Sequence, residues 1–92
     1  MKWNVVQTGQ FKKDLKRYKH DQYKMDLLDD VLVSLVETGT VPRKMKPHKL
    51  CGNYKGHIEC HIESNFLLIW IDEAKQTIKL VRLGTHSELF SL

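Results

Sequence analysis

His57-Ile58-Glu59-Cys60-His61-Ile62, the turn Ser64-Asn65, Phe66-Leu67-Leu68-Ile69-Trp70-Ile71, the turn Asp72 to Gln76, and Thr77 to Leu83 together decide the fold. The first six residues alternate, with His57, Glu59 and His61 on one strand face and Ile58, Cys60 and Ile62 on the other. Phe66 to Ile71 is apolar on both faces, as a central strand must be. Thr77 to Leu83 completes three consecutive strands with short turns, which is a β-meander. Gly84 breaks the last strand and leaves His86 to Phe90 as a C-terminal turn or short helix.

Upstream the periodicity changes from 2 to 3.6. Trp3-Asn4-Val5 alternates and predicts a short first strand. Thr8 is placed to cap a helix beginning near Gly9, in which Phe11, Leu15 and Tyr18 form one apolar stripe. A second helix is expected from about Asp21 to Thr38, with Met25, Leu28, Leu32, Leu35 and Val36 facing the core. Gly39 suits the position just past its end, and Pro42 prevents its resumption. Residues 40–55 read as one long loop punctuated by Pro and Gly, and loops of this length in small domains often carry function. The element order β-α-α-β-β-β specifies an α+β fold: an antiparallel sheet, two N-terminal helices on one face and a short C-terminal helical turn on the other side.

The chain has 92 residues, which predicts a single domain over 1–92. Its apolar content of 41% is enough for one core. The longest apolar run, Phe66 to Ile71, falls far short of a membrane span, and Met1-Lys2-Trp3-Asn4 lacks the apolar region of a signal peptide. Cytoplasmic residence without membrane association is the expectation. Two cysteines, Cys51 and Cys60, make no disulfide framework and are expected to be reduced.

Charge is distributed unevenly. Residues 1–55 carry twelve Lys and Arg against six Asp and Glu, whereas residues 56–92 carry three against five. The stretch Arg43-Lys44-Met45-Lys46-Pro47-His48-Lys49 continues to Lys55 without an acid. Such a stretch holds phosphates and attracts a polyanion. Four of the five histidines, His48, His57, His61 and His86, lie in the second half. Histidine alone has an unperturbed pKa near neutrality, so a basic protein rich in it points to acid–base chemistry on RNA.

RNA brings its own nucleophile, the 2′-OH. Cleavage needs a base for that proton, an acid for the departing 5′-oxygen and cations for the developing charge. His48, His61 and His86 fit the proton transfers, with His48 as the base and His86 as the acid. Arg82, Lys44, Lys46, Lys49 and Lys55 fit the electrostatic part. Neither metal nor cofactor is expected. The set Cys51, His57, Cys60, His61 has C-x5-H-x2-C-H spacing, which matches no zinc pattern, and alternation sends Cys60 to the opposite face.

At these positions the chain resembles the YafQ branch of the RelE-like toxins of bacterial toxin–antitoxin systems. The resemblance spans nearly the whole chain. It is carried by His48-Lys49-Leu50-Cys51-Gly52, by Lys55-Gly56, by His61 with Asn65-Phe66-Leu67-Leu68-Ile69, and by Arg82-Leu83-Gly84-Thr85-His86-Ser87-Glu88-Leu89-Phe90. It implies a RelE-like fold and a ribosome-dependent, metal-independent mRNA endoribonuclease. It also implies a cognate antitoxin that neutralises the toxin and, with it, represses their operon, so that operator DNA is touched only through that complex. The family's active-site positions fall on His48, His61, Asn65, Phe66, His86 and Phe90. Three departures stand out: Lys49 replaces a proline, Ile58 an arginine, and Asn65 an aspartate. Asparagine can hydrogen-bond but neither accepts a proton nor carries charge. Two alternatives therefore accompany the nuclease reading: a non-catalytic RNA- or ribosome-binding relative and, further off, a gyrase inhibitor on the same scaffold.

Overall fold

The computed structural model describes residues 2–90. Strand β1 (Asn4–Gln7) is followed by helices α1 (Gly9–Lys16) and α2 (Gln22–Thr38). Then come the two-residue strand β2 (His48–Lys49), strands β3 (Ile58–Glu63), β4 (Phe66–Glu73) and β5 (Thr77–Gly84), and helix α3 (His86–Phe90). Single 3-10 turns at Arg43–Met45 and Gly52–Tyr54 flank β2. The sheet order is β1-β5-β4-β3-β2.

The helix boundaries follow from caps. The Thr8 side chain accepts from the Phe11 N–H, and the Asp21 side chain accepts from the Lys24 N–H. Helix α2 ends at Gly39, whose φ of 78° lies in the left-handed region and whose N–H returns to the Leu35 carbonyl. A Cβ at Gly39 would also stand 2.5 Å from the Trp3 indole, so glycine serves both the cap and the packing of the N-terminal strand.

Two points differ from the sequence expectation. The sheet is mixed, because β1 pairs in parallel with β5, with Asn4 opposite Thr77 and Gln7 opposite Leu80. The meander fixes only β3, β4 and β5 as antiparallel; β1 docks through a non-local choice that residue alternation does not encode. The stretch at 40–55 is also not plain loop, since β2 pairs antiparallel with β3, His48 opposite Glu59 and Lys49 opposite Ile58.

The alternation in β3 and β4 builds two cores. On the helix side Phe11, Leu28, Val31 and Leu35 close over Cys60, Phe66, Leu68, Trp70, Ile78 and Leu80. On the other side Leu67 and Ile69 are covered by Leu89 of α3, with Leu50, Tyr54 and Val81 around them. That second, smaller core is the floor on which the histidines stand. Helix α1 crosses the edge of β5 beyond the reach of β1. There the buried Asp14 carboxylate, 1% exposed, accepts from the Leu83 backbone N–H at 3.0 Å and so stands in for a missing strand. Among the described residues no helix is long and apolar enough to cross a membrane.

Candidate active site

The histidines come from three separate segments. The β2–β3 register sets His48 beside Glu59, and alternation along β3 puts His61 on the same face. His86 opens α3, immediately after β5. The His48 and His61 ring centroids are 6.0 Å apart, and those of His61 and His86 are 5.8 Å apart. Phe90 lies 6.4 Å from His86, and Tyr54 stands edge-on to Phe90 at 5.5 Å and to His57 at 5.7 Å. These rings form one continuous rim on the sheet face opposite the helices. His48, His61, His86, Asn65 and Phe90 are thus brought together. Phe90, at 39% exposed, is open to a base stacking on it.

Asn65 fixes the state of His86. Its Oδ1 accepts from the His86 backbone N–H at 2.9 Å and lies 2.8 Å from the His86 Nδ1. A backbone N–H requires an acceptor, so the amide oxygen faces His86. The same oxygen can only accept, so the Nδ1 carries a proton. The Nε2 is then the atom available for proton exchange with a ligand. The His48 Nδ1 is held likewise, 2.9 Å from the Lys46 carbonyl, with its Nε2 3.2 Å from Glu59 Oε1. The His61 Nε2 approaches the same oxygen at 3.6 Å.

The start of α3 is fastened by a reciprocal cap. Glu88 N–H donates to Thr85 Oγ1, and Thr85 N–H donates to Glu88 Oε1 at 2.9 Å. Glu88 also accepts from the Tyr18 hydroxyl and pairs with Arg17 at 3.2 Å, tying α3 to the end of α1. Burial first, then the hydrogen bond and charge of Glu88, push the Tyr18 hydroxyl up to about 12. Burial also acts to raise the Glu88 carboxyl, but the Tyr18 hydrogen bond, the Thr85 N–H and the Arg17 charge outweigh it and hold it below its ordinary value. Gly84 permits this closure, since a Cβ there would meet Glu88 Oε1 at 2.5 Å.

Two expected substrate contacts are corrected. Phe66 is 1% exposed and belongs to the helix-side core, where the Tyr18 ring packs at 4.9 Å and the Lys24 ammonium at 5.0 Å. Leu67 is the partner of His61 across β3 and β4, so alternation sends the neighbouring Phe66 to the face away from the histidines. Arg82 is no free cation either. Its side chain is 19% exposed, its Nε and Nη2 bind Asp14 at 2.8 and 3.3 Å, and its Nη1 donates to the Tyr54 hydroxyl at 3.2 Å. It braces Tyr54 against α1. Lys44, Lys46, Lys49 and Lys55 are all exposed. Lys49, opposite Ile58, takes the other sheet face from His48 by alternation, so it borders the groove from behind.

Sequence reading missed Glu59, Tyr54 and Asp14 as contributors. Glu59 had a signal, because it shares a strand face with two histidines. Thr85-His86-Ser87-Glu88 also spells a capping box. Nothing in the sequence marked Asp14, one acid in a basic helix, as buried.

Comparison with known proteins agrees with this arrangement. Residues 3–91 match the model of a family described as a bacterial toxin of type II toxin–antitoxin system, YafQ. The mRNA interferase toxin YafQ of Escherichia coli K12 is 33% identical over 91 residues, 95% of each chain. The E. coli DinJ-YafQ toxin–antitoxin complex superposes with a TM-score of 0.83 at 27% identity, covering 98% of this chain and 99% of that one. A metal-bound toxin from Helicobacter pylori superposes with a TM-score of 0.82 at 36% identity, covering 96% and 99%. The chain therefore belongs to the YafQ family of type II toxin–antitoxin toxins.

Proposed function

We propose that this toxin is an endoribonuclease that cleaves mRNA on the ribosome, with residues 1–92 acting as one domain in the cytoplasm beside a cognate antitoxin. Operator DNA is met only through the antitoxin complex. The observation that carries the reading is the join between His86 and Asn65, because it fixes one tautomer within ring contact of a second histidine pair.

The chemistry follows from the residues. The RNA 2′-OH attacks the adjacent phosphorus as its proton passes to the Nε2 of His48, the nitrogen that faces Glu59 Oε1, and the Glu59 carboxylate stabilises the imidazolium. The bond from phosphorus to the 5′-oxygen breaks as the Nε2 of His86 protonates that oxygen. The products are a cyclic phosphodiester and a free 5′-hydroxyl. His61 lies between the two and shares the Glu59 carboxylate. Each positioned acid or base contributes roughly 10²–10⁴-fold. The reaction requires no resident metal, since nucleophile, base and acid are all supplied. We extend to this chain, as a property separate from cleavage, the capacity for metal found in the Helicobacter pylori relative.

Primer extension on a defined mRNA with translating ribosomes and purified toxin tests this reading. Cleavage within the ribosome-bound message, absent from free mRNA, is expected. The replacement of aspartate by Asn65 favours one second reading, a relative that binds ribosomes without turnover. Co-sedimentation with ribosomes in the absence of any cut would establish that one instead.

Two further outcomes are expected. Replacing Lys44, Lys46 and Lys55 together by glutamine lowers ribosome affinity and flattens its salt dependence, because phosphate contacts act through released counterions. Lys49→Gln, on the rear face, has the smaller effect; an unchanged salt slope in the triple variant would remove the basic groove. Asn65→Asp, in turn, raises cleavage and moves the basic limb of the pH–rate profile upward. A carboxylate at the same distance favours the protonated imidazole, whereas the neutral amide only orients it. Superimposable profiles would mean that residue 65 merely shapes the turn.

A further inference from the structure

Phe90 ends a helix too short to hold it in place. Helix α3 has five residues, and isolated helices below about 12 residues are marginal in water. Its position is therefore set by what it is fastened to. Thr85 and Glu88 fasten its first turn, and the buried Leu89 side chain packs with Leu67 and Ile69. The last turn ends in backbone carbonyls with no partner inside the helix, and Tyr54 supplies one. The Tyr54 hydroxyl donates to the Leu89 carbonyl at 3.3 Å, in the peptide group that leads into Phe90. The Tyr54 and Phe90 rings stand 5.5 Å apart with their planes at 82°, a geometry that aromatic pairs prefer.

Tyr54 is itself held from several sides. Arg82 Nη1 donates to its hydroxyl at 3.2 Å, and Arg82 is anchored on the buried Asp14. Its ring is half-buried beside the smaller core. The turn Gly52–Tyr54 is closed by the Lys55 N–H on the Gly52 carbonyl at 3.1 Å, and the His57 N–H returns to the Tyr54 carbonyl at 2.9 Å. The hydroxyl donates once and accepts once, so its proton is committed to α3 and not to a substrate. Tyr54 is thus a fixed post against which the end of α3 is set.

We propose that Tyr54 is a positioning residue for message binding, holding the end of α3 so that the Phe90 ring keeps an open face toward an unstacked base of the mRNA. The proposal rests on the nuclease reading in taking mRNA as the ligand. A perpendicular neighbour takes up at most one face of Phe90 and leaves the other to a base, which stacks on a face. A ring fixed before binding also loses less freedom when the base arrives, and affinity gains by that difference.

The test compares toxin affinity for two kinds of ribosome, one carrying a short message with 2′-deoxynucleotides across the cleaved stretch and one without message. The deoxy message lacks the nucleophile, so it is bound and not cut. The ratio of the two affinities isolates the contact with message. Phe90→Ala is expected to lower that ratio roughly tenfold, the scale of one stacked base. Tyr54→Leu approaches the same loss. Tyr54→Phe keeps the ring without the hydroxyl and loses roughly threefold, the scale of one hydrogen bond. Adding Tyr54→Leu to Phe90→Ala costs nothing further, because Tyr54 acts through that ring. Circular dichroism verifies each fold, and Tyr54→Phe carries the test should Tyr54→Leu fail to fold. A purely structural Tyr54 would lower both affinities alike and leave the ratio unchanged. An undiminished ratio in Phe90→Ala or in either folded Tyr54 variant overturns the proposal, as do losses that multiply in the double variant. Cleavage of an ordinary ribonucleotide message is scored separately. Its absence beside the expected ratios refutes the nuclease reading and leaves the role of Tyr54 standing, so the two failures are distinct.

Discussion

His86→Ala cleaves ribosome-bound mRNA roughly 10²-fold or more slowly than the wild-type toxin, with no change in thermal midpoint. The expectation rests on the exposed position of His86 at the head of α3 and on the one hydrogen bond its ring makes among the described residues, to Asn65. Loss of that ring removes a proton donor and leaves the core intact. Helix α3 keeps its register, because its closure depends on Thr85, Glu88 and the backbone N–H of residue 86. His86→Gln should be as slow as alanine, since an amide can hold a place but cannot protonate an oxygen. The rate at saturating ribosome concentration separates chemistry from binding; an effect confined to the ribosome concentration giving half-maximal rate would move His86 from acid to docking residue.

Asp14→Ala should cost about 3 kcal/mol of stability, the low end for breaking a buried ion pair by removing one partner. The deletion strands the Arg82 guanidinium, frees Tyr54 and removes the acceptor of the Leu83 N–H. In a domain of this size that corresponds to a fall of roughly 12–24 °C in thermal midpoint, at about 4–8 °C per kcal/mol. Asp14→Asn, which keeps part of the hydrogen bonding, should fall between wild type and alanine. The pH dependence follows from the shifted carboxyl. Burial acts to raise it, but the Arg82 hydrogen bond, the Leu83 N–H and Gln10 together hold it below its ordinary value of 3.8. A depressed carboxyl stabilises the fold above its unfolded pKa and loses that contribution as pH falls through the folded value. The stability gap between wild type and Asp14→Asn should be constant near neutrality and shrink below about pH 4. Urea unfolding at a series of pH values measures it, and a gap that widens in acid would refute the assignment.

Arg82 illustrates how sequence and structure divide the problem. Its place near the end of β5, among histidines, made it a natural phosphate ligand. Its partner, Asp14, lies 68 residues away in a helix whose charge is otherwise basic. Long-range pairing of this kind leaves no periodic trace. Phe66 shows the same limit at short range: its run is apolar on both faces, and only the pairing of Leu67 with His61 decides which face each of its residues takes.

The sequence by itself determined the elements and their polarity. Alternation in 57–62, the two-sided apolar run at 66–71 and the break at Gly84 laid out the meander, and helical stripes with Thr8, Asp21 and Gly39 at their ends laid out the helices. These signals are local, set by how side chains divide between water and core. The histidines were legible for the same reason, since their chemistry belongs to the residue type. Only the tertiary structure decided which groups meet. It brought β1 in parallel against β5, opposed His48 to Glu59 through a two-residue strand, and turned Asn65 to fix the His86 proton. Each of these is a pairing between distant segments, whose energy depends on distance and burial in the folded chain, and neither quantity is written into the order of residues.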